Sequence, residues 1–188
     1  GDNRDLHSFP TRRSSDLEDR YPIDVKFVIP PNIDVVFHNN ESSHFKLFAV
    51  ECKFSEAYGG RAHGGLKSKY LEEENLWSDL AALNKLGWET NHDAKRYSYL
   101  DAAQLIKHIL GLKARVGIKE FKLLYLWYDV LGIDGASHRA EVEDFTKIAK
   151  SDGINFLAMT YQELITNLDR DHRAEHSEYI KYLTKRYN

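Results

Sequence analysis

The run Lys46-Leu47-Phe48-Ala49-Val50-Glu51-Cys52-Lys53-Phe54 constrains the fold more than any other stretch of the chain. It is apolar enough for a core strand, yet it carries an acid and a base two positions apart. Side chains of a strand alternate faces with period two, so Glu51 and Lys53 project from one face and Val50, Cys52 and Phe54 from the other. Burying charge costs free energy unless the charges are paired and hydrogen-bonded, which makes such a pair inside a core strand a candidate site. A second strand, Asp34 to His38, lies upstream and also opens with one acid in an apolar run, Asn32-Ile33-Asp34-Val35-Val36-Phe37. Pairing the two as a hairpin brings Asp34, Glu51 and Lys53 toward one end of a sheet.

The chain has 188 residues, 42% hydrophobic and 29% charged, which fits one soluble domain with its own core. A net charge of -3 does not advertise a nucleic-acid binder, although a local basic face is compatible with it. The single cysteine excludes an internal disulfide framework and a Cys-based zinc site. No apolar run approaches the roughly 18 residues of a membrane span, so the expectation is a cytoplasmic protein with no membrane partner.

Gly1 to Leu17, GDNRDLHSFPTRRSSDL, has no apolar periodicity and the composition of a disordered tail. It also resembles the translation of a common short-read sequencing adapter, differing only at Asn3. Residues 1–17 are therefore expected to be a non-native scar, and Arg12 and Arg13 are not read as a DNA-binding arm.

Further along, Ile23 to Ile29 alternates like a strand stopped by Pro30-Pro31, which with the two strands above suggests a meander. Four glycines between Tyr58 and Gly65 predict a mobile loop, and no Gly-Lys-Ser/Thr follows to make it a phosphate-binding loop. Residues 66–88 read as two helical pieces stopped at Gly87, and Tyr99 to Leu112 as a helix ending near Gly111 with Gln104, Lys107 and His108 on a side stripe. Phe121 to Val130 is continuously apolar and reads as a central strand covered on both faces. A helix over 138–150, a short strand from Ile154 to Met159 and a helix opened by Thr160 and Glu163 as a capping box come next. The last helix runs from Arg173 to Tyr187, with Tyr179, Leu183 and Tyr187 as its docking stripe. His172 and His176 have the spacing of a metal pair on a helix, but with no third ligand nearby they read as an exposed face.

Phosphodiester hydrolysis needs a divalent cation to polarise the phosphate, an activated water, and positive charge near the transition state. Mg²⁺ prefers oxygen ligands, usually one or two carboxylates with waters and substrate phosphate. Asp34 and Glu51 suit that role, with the Cys52 backbone carbonyl as a further ligand and Lys53 beside the attacking water. The spacing of Asn32-Ile33-Asp34 and Glu51-Cys52-Lys53 resembles the PD-(D/E)XK nuclease superfamily, with Asn32-Ile33 standing where many members have a proline just before the aspartate. The resemblance implies an α/β fold: a mixed central β-sheet flanked by helices, the restriction-endonuclease-like core. It further implies Asp34, Glu51 and Lys53 as catalytic residues, Asp34, Glu51 and Cys52 around Mg²⁺ (Mn²⁺ as substitute), and DNA as substrate. Gln104 falls on the helix where some members place a residue near the phosphate, and Lys107 and Arg61 complete the expected substrate contacts. Residues 18–188 then form one nuclease-like domain, expected to be truncated at its N-terminus where many members carry another acid. A homodimer is compatible with such a domain. Two rival expectations are a catalytically inactive nucleic-acid-binding or assembly domain that keeps the fold, and an unrelated α/β protein whose Glu51 and Lys53 form a simple ion pair.

Overall fold

The computed structural model describes residues 19–23, 27, 30–39, 45–60 and 63–187. Its centre is a four-stranded sheet in the order β3-β4-β5-β6, formed by Val35–His38, Leu47–Lys53, Phe121–Trp127 and Phe156–Thr160. β3 and β4 are antiparallel, whereas β4, β5 and β6 are parallel to one another. The architecture is therefore the mixed α/β sheet flanked by helices that the resemblance implied.

A separate two-stranded ribbon pairs β1 (Asp19–Arg20) with β2 (Asn32–Ile33). Of the expected strand from Ile23 to Ile29, the described residues Ile23 and Phe27 are buried but not in a strand, and the rest lies outside the described residues. Phe27 is held by stacking on Tyr70, ring centroids 4.5 Å apart, so its burial is satisfied by an aromatic contact and not by a sheet.

The helices are α1 (Ser68–Leu71), α2 (Ala81–His92), α3 (Ala102–Val116), α4 (Ile133–Ser151) and α5 (Tyr161–Tyr187). α2 runs through Gly87 and α3 through Gly111, where the sequence suggested stops. Both glycines serve close approach: a Cβ at Gly87 would sit 2.9 Å from Leu71 Cδ2, and one at Gly111 would sit 2.7 Å from the Tyr21 carbonyl oxygen. α2 starts without a capping side chain of its own, and Asp152 takes that part by accepting from the N–H groups of Ala82 and Leu83 at 3.0 and 2.8 Å.

One face of the sheet is the main core. Ala49, Leu123, Tyr125, Trp127 and Phe156 join Ile106 and Ile109 of α3 and Phe145 of α4 in a single buried cluster. The other face receives α5. The expected capping box opens that helix: Thr160 N–H donates to Glu163 Oε2 at 2.8 Å and Glu163 N–H to Thr160 Oγ1 at 3.0 Å. α5 is not straight, since His172 and His176 have φ of -132° and -131° inside it. A straight helix of this length would separate its ends by roughly 40 Å. Instead, the Tyr161 and Tyr187 rings both lie against Phe54, at 5.5 and 5.4 Å. The element is an antiparallel helical hairpin turning between His172 and His176. Its second arm docks through Ile180, 3% exposed, while Tyr179 of the expected stripe points outward at 61%.

Candidate active site

β4 carries the site because its two edges are used differently. The register with β3 ends at the pair Val35 and Val50, so the next outward-facing N–H on that edge, Cys52, has no strand partner. The Asp34 side chain fills the gap: its Oδ2 accepts from Cys52 N–H at 2.7 Å. Asp34 occupies the bend where the chain leaves its pairing with β1 and begins pairing with β4. On the other edge, Lys53 O accepts from Tyr128 N–H at 2.9 Å. Because N–H and C=O of one strand residue lie on the same edge, the Cys52 carbonyl shares the edge occupied by Asp34.

Glu51 projects into the helical side of the sheet and is 1% exposed. Lys53 Nζ lies 2.6 Å from its Oε1, and His108 Nε2 of α3 lies 2.9 Å from its Oε2. Both contacts are short, yet neither has hydrogen-bond geometry, so neither oxygen has an aligned hydrogen bond. Burial pushes the Glu51 carboxyl upward, but His108 and Lys53 outweigh it and hold its pKa below the usual value. Asp34 moves the other way, raised by burial and by the nearby Glu51 charge despite the Cys52 N–H bond. For Lys53, burial lowers the pKa, yet the Glu51 and Asp34 charges win and keep it raised.

The four sequence-predicted residues of β4 and its neighbour are thus brought together. Gln104 and Lys107 lie one turn apart on α3 and line a cleft of about 670 Å³ with His108. Asp101 caps α3 beneath them, accepting from Gln104 N–H at 2.8 Å. Arg61 lies outside the described residues. His172 and His176 fall in the turn of the α5 hairpin and not on a continuous helix face.

His108 is the residue that sequence reasoning left unassigned. Its signal was position: it sits three after Leu105 and four before Leu112, both fully packed, so a polar ring occupies a core stripe. A second buried histidine, His138 of α4, is built into a hydrogen-bond chain. Tyr58 OH donates to the Tyr128 carbonyl at 2.9 Å and so accepts from His138 Nδ1 at 2.9 Å, which leaves Nε2 to accept from Tyr125 OH at 3.1 Å. Burial lowers the His138 pKa to about 4, consistent with a neutral ring. This chain ties the 3-10 turn Glu56–Tyr58, which follows β4, to β5 and α4.

Residues 29–188 match one protein-family model, described as restriction endonuclease associating with ARP (REase-ARP). The chain belongs to that family. No curated protein and no solved structure matches it. In this REase-ARP domain, no group of three or more His, Cys, Asp or Glu side chains among the described residues forms a metal cage. A cation would instead rest on two carboxylates, one of them a buried group without an aligned hydrogen bond, and a backbone carbonyl. That all-oxygen set fits Mg²⁺, which keeps several ligand positions for water and phosphate. No described helix of the REase-ARP domain is long and apolar enough to cross a membrane.

Proposed function

We propose that this REase-ARP domain is a PD-(D/E)XK-type nuclease that hydrolyses phosphodiester bonds of DNA with Mg²⁺, Mn²⁺ being a substitute. The observation that carries the reading is the Asp34 carboxylate bonded to the backbone of Cys52, which holds the acid of the bend before β3 at the midpoint of Glu51-Cys52-Lys53. An unrelated protein with a chance ion pair predicts Asp34 far from Glu51, whereas here Asp34 is bonded to the residue next to Glu51 and lies close enough for the Glu51 charge to raise its pKa. Asp34, Glu51 and the Cys52 carbonyl would hold the cation, which when bound polarises the phosphate and the attacking water. Lys53 would supply positive charge beside the cation and phosphate; its ammonium lies 2.6 Å from Glu51 Oε1. His108 holds Glu51 in place from behind, and Gln104 and Lys107 face the cleft where the substrate backbone would run. Residues 18–188 would act as one domain of this kind, and the family description adds association with ARP as a partner function.

A second reading, an inactive domain that keeps the fold and binds nucleic acid, is favoured by one observation. Both Glu51 oxygens already face a basic side chain, Lys53 and His108. Isothermal titration with Mg²⁺ and Mn²⁺ separates the two. The nuclease reading expects saturable binding that Asp34→Asn abolishes; no binding by the unaltered chain would favour the inactive domain.

A further inference from the structure

We propose that the cleft above α3 is a phosphate-backbone subsite that takes a nucleic-acid strand at Arg20, Lys67, Lys69 and Lys107; it rests on the nuclease reading only for the direction in which the strand leads. The cleft of about 670 Å³ is lined by Arg20 of β1, by Lys67 and Lys69 at α1, and by Lys107 and His108 of α3. Among the described residues, four cations line the cleft with one carboxylate, Asp101, and that carboxylate is engaged in capping α3. None of the four cations forms an ion pair with a described carboxylate, although the chain as a whole is acidic, with a net charge of -3. An uncompensated basic cleft in an acidic protein concentrates a polyanion there.

A second observation points into the same cleft. His108 lines it, is 1% exposed, and has a buried Nδ1 with no hydrogen-bond partner, while its Nε2 meets Glu51. The cleft and the candidate metal site therefore adjoin through one side chain, His108, which lines the first and touches Glu51 of the second. The open groove on α2 beside Trp88 offers a contrast. Its cations are already neutralised, Lys85 by Glu89 at 3.9 Å and Arg96 by Glu89 and by Asp144 at 3.2 Å.

The shared chemistry is the phosphodiester, common to DNA and RNA. The test is fluorescence anisotropy in EDTA, with fluorescein-labelled oligodeoxythymidylate and oligouridylate titrated over a range of salt concentrations. Each lysine removed from the cleft should lower the slope of log affinity against log salt by about 0.7, and the triple variant Lys67→Ala/Lys69→Ala/Lys107→Ala should lose at least about tenfold in affinity. Lys69 also lies over the Phe27 and Tyr70 rings, at 5.3 and 5.2 Å, so Lys69→Gln serves as a companion that retains its stem. Lys147→Ala, on the exposed surface of α4, should change nothing. Tighter binding of one oligomer names the source as DNA or RNA. An unchanged slope and affinity in both the alanine and the glutamine series overturns the subsite. Because no cation is present, the outcome does not depend on cleavage: a chain that never cuts but shows the slope change loses the nuclease reading and keeps the cleft, and the converse result does the opposite.

Discussion

Glu51 is a buried carboxylate whose two oxygens face Lys53 and His108. Leaving a buried charge with no partner typically costs about 3–5 kcal/mol. His108→Ala leaves Lys53 beside Glu51, so it is expected to lose less than that, about 1–3 kcal/mol in urea unfolding at neutral pH, and His108→Gln, which keeps a donor, to lose less again; equal stability of His108→Ala and the unaltered chain would remove His108 from the cluster. His138 gives a pH prediction. Its folded pKa is about 4 against an ordinary 6.5, so between those values the unfolded chain binds the extra proton. Stability from this group is complete above about 6.5 and is lost as pH falls toward 4, by roughly 3 kcal/mol. His138→Gln should flatten that part of a melting-temperature profile against pH, and an unchanged slope would show that His138 is not the titrating group. Asp34, Glu51 and Lys53 could be read from charges standing in apolar runs. His108 could not be assigned that way, because a lone histidine on a core stripe has no distinctive spacing, and its meaning comes from a contact between α3 and β4.

Elements were legible where periodicity and turn chemistry agreed. The Thr160 and Glu163 capping box and the strand at Phe121 are found where the pattern put them. Helix ends at Gly87 and Gly111 were misread, because a glycine that stops a helix and one that admits a neighbour look alike in sequence. Gly111→Ala would force a Cβ to 2.7 Å from the Tyr21 carbonyl and 3.1 Å from Pro31 Cγ. It should destabilise by about 1–3 kcal/mol through displacement of that segment, the usual scale for overpacking, whereas a neutral or stabilising result would place the segment elsewhere. The α5 hairpin makes a geometric prediction. Spin labels at exposed positions on its two arms, on Thr166 and Lys185 for example, should report a short separation by pulsed electron resonance. A distance near that of a continuous helix, about 1.5 Å per residue, would contradict the turn at His172 to His176.

At the scale of the molecule, the mixed sheet, the helix cover and the family all agree on a restriction-endonuclease-like body. The mixed character of the sheet was accessible because β4, β5 and β6 are joined through helices, which favours parallel neighbours. The ribbon of β1 and β2 was not, since two-residue strands leave no periodicity to read. The central claim is that Asp34 and Glu51 hold a cation at which Lys53 assists hydrolysis. Plasmid nicking in Mg²⁺, with EDTA as control, tests it most directly. The account predicts cleavage that EDTA abolishes and that Asp34→Asn, Glu51→Gln and Lys53→Ala each lower by at least about a hundredfold, the scale of losing one electrostatic contributor. Equal cleavage by the unaltered chain and Lys53→Ala, or no cleavage by either, would contradict it.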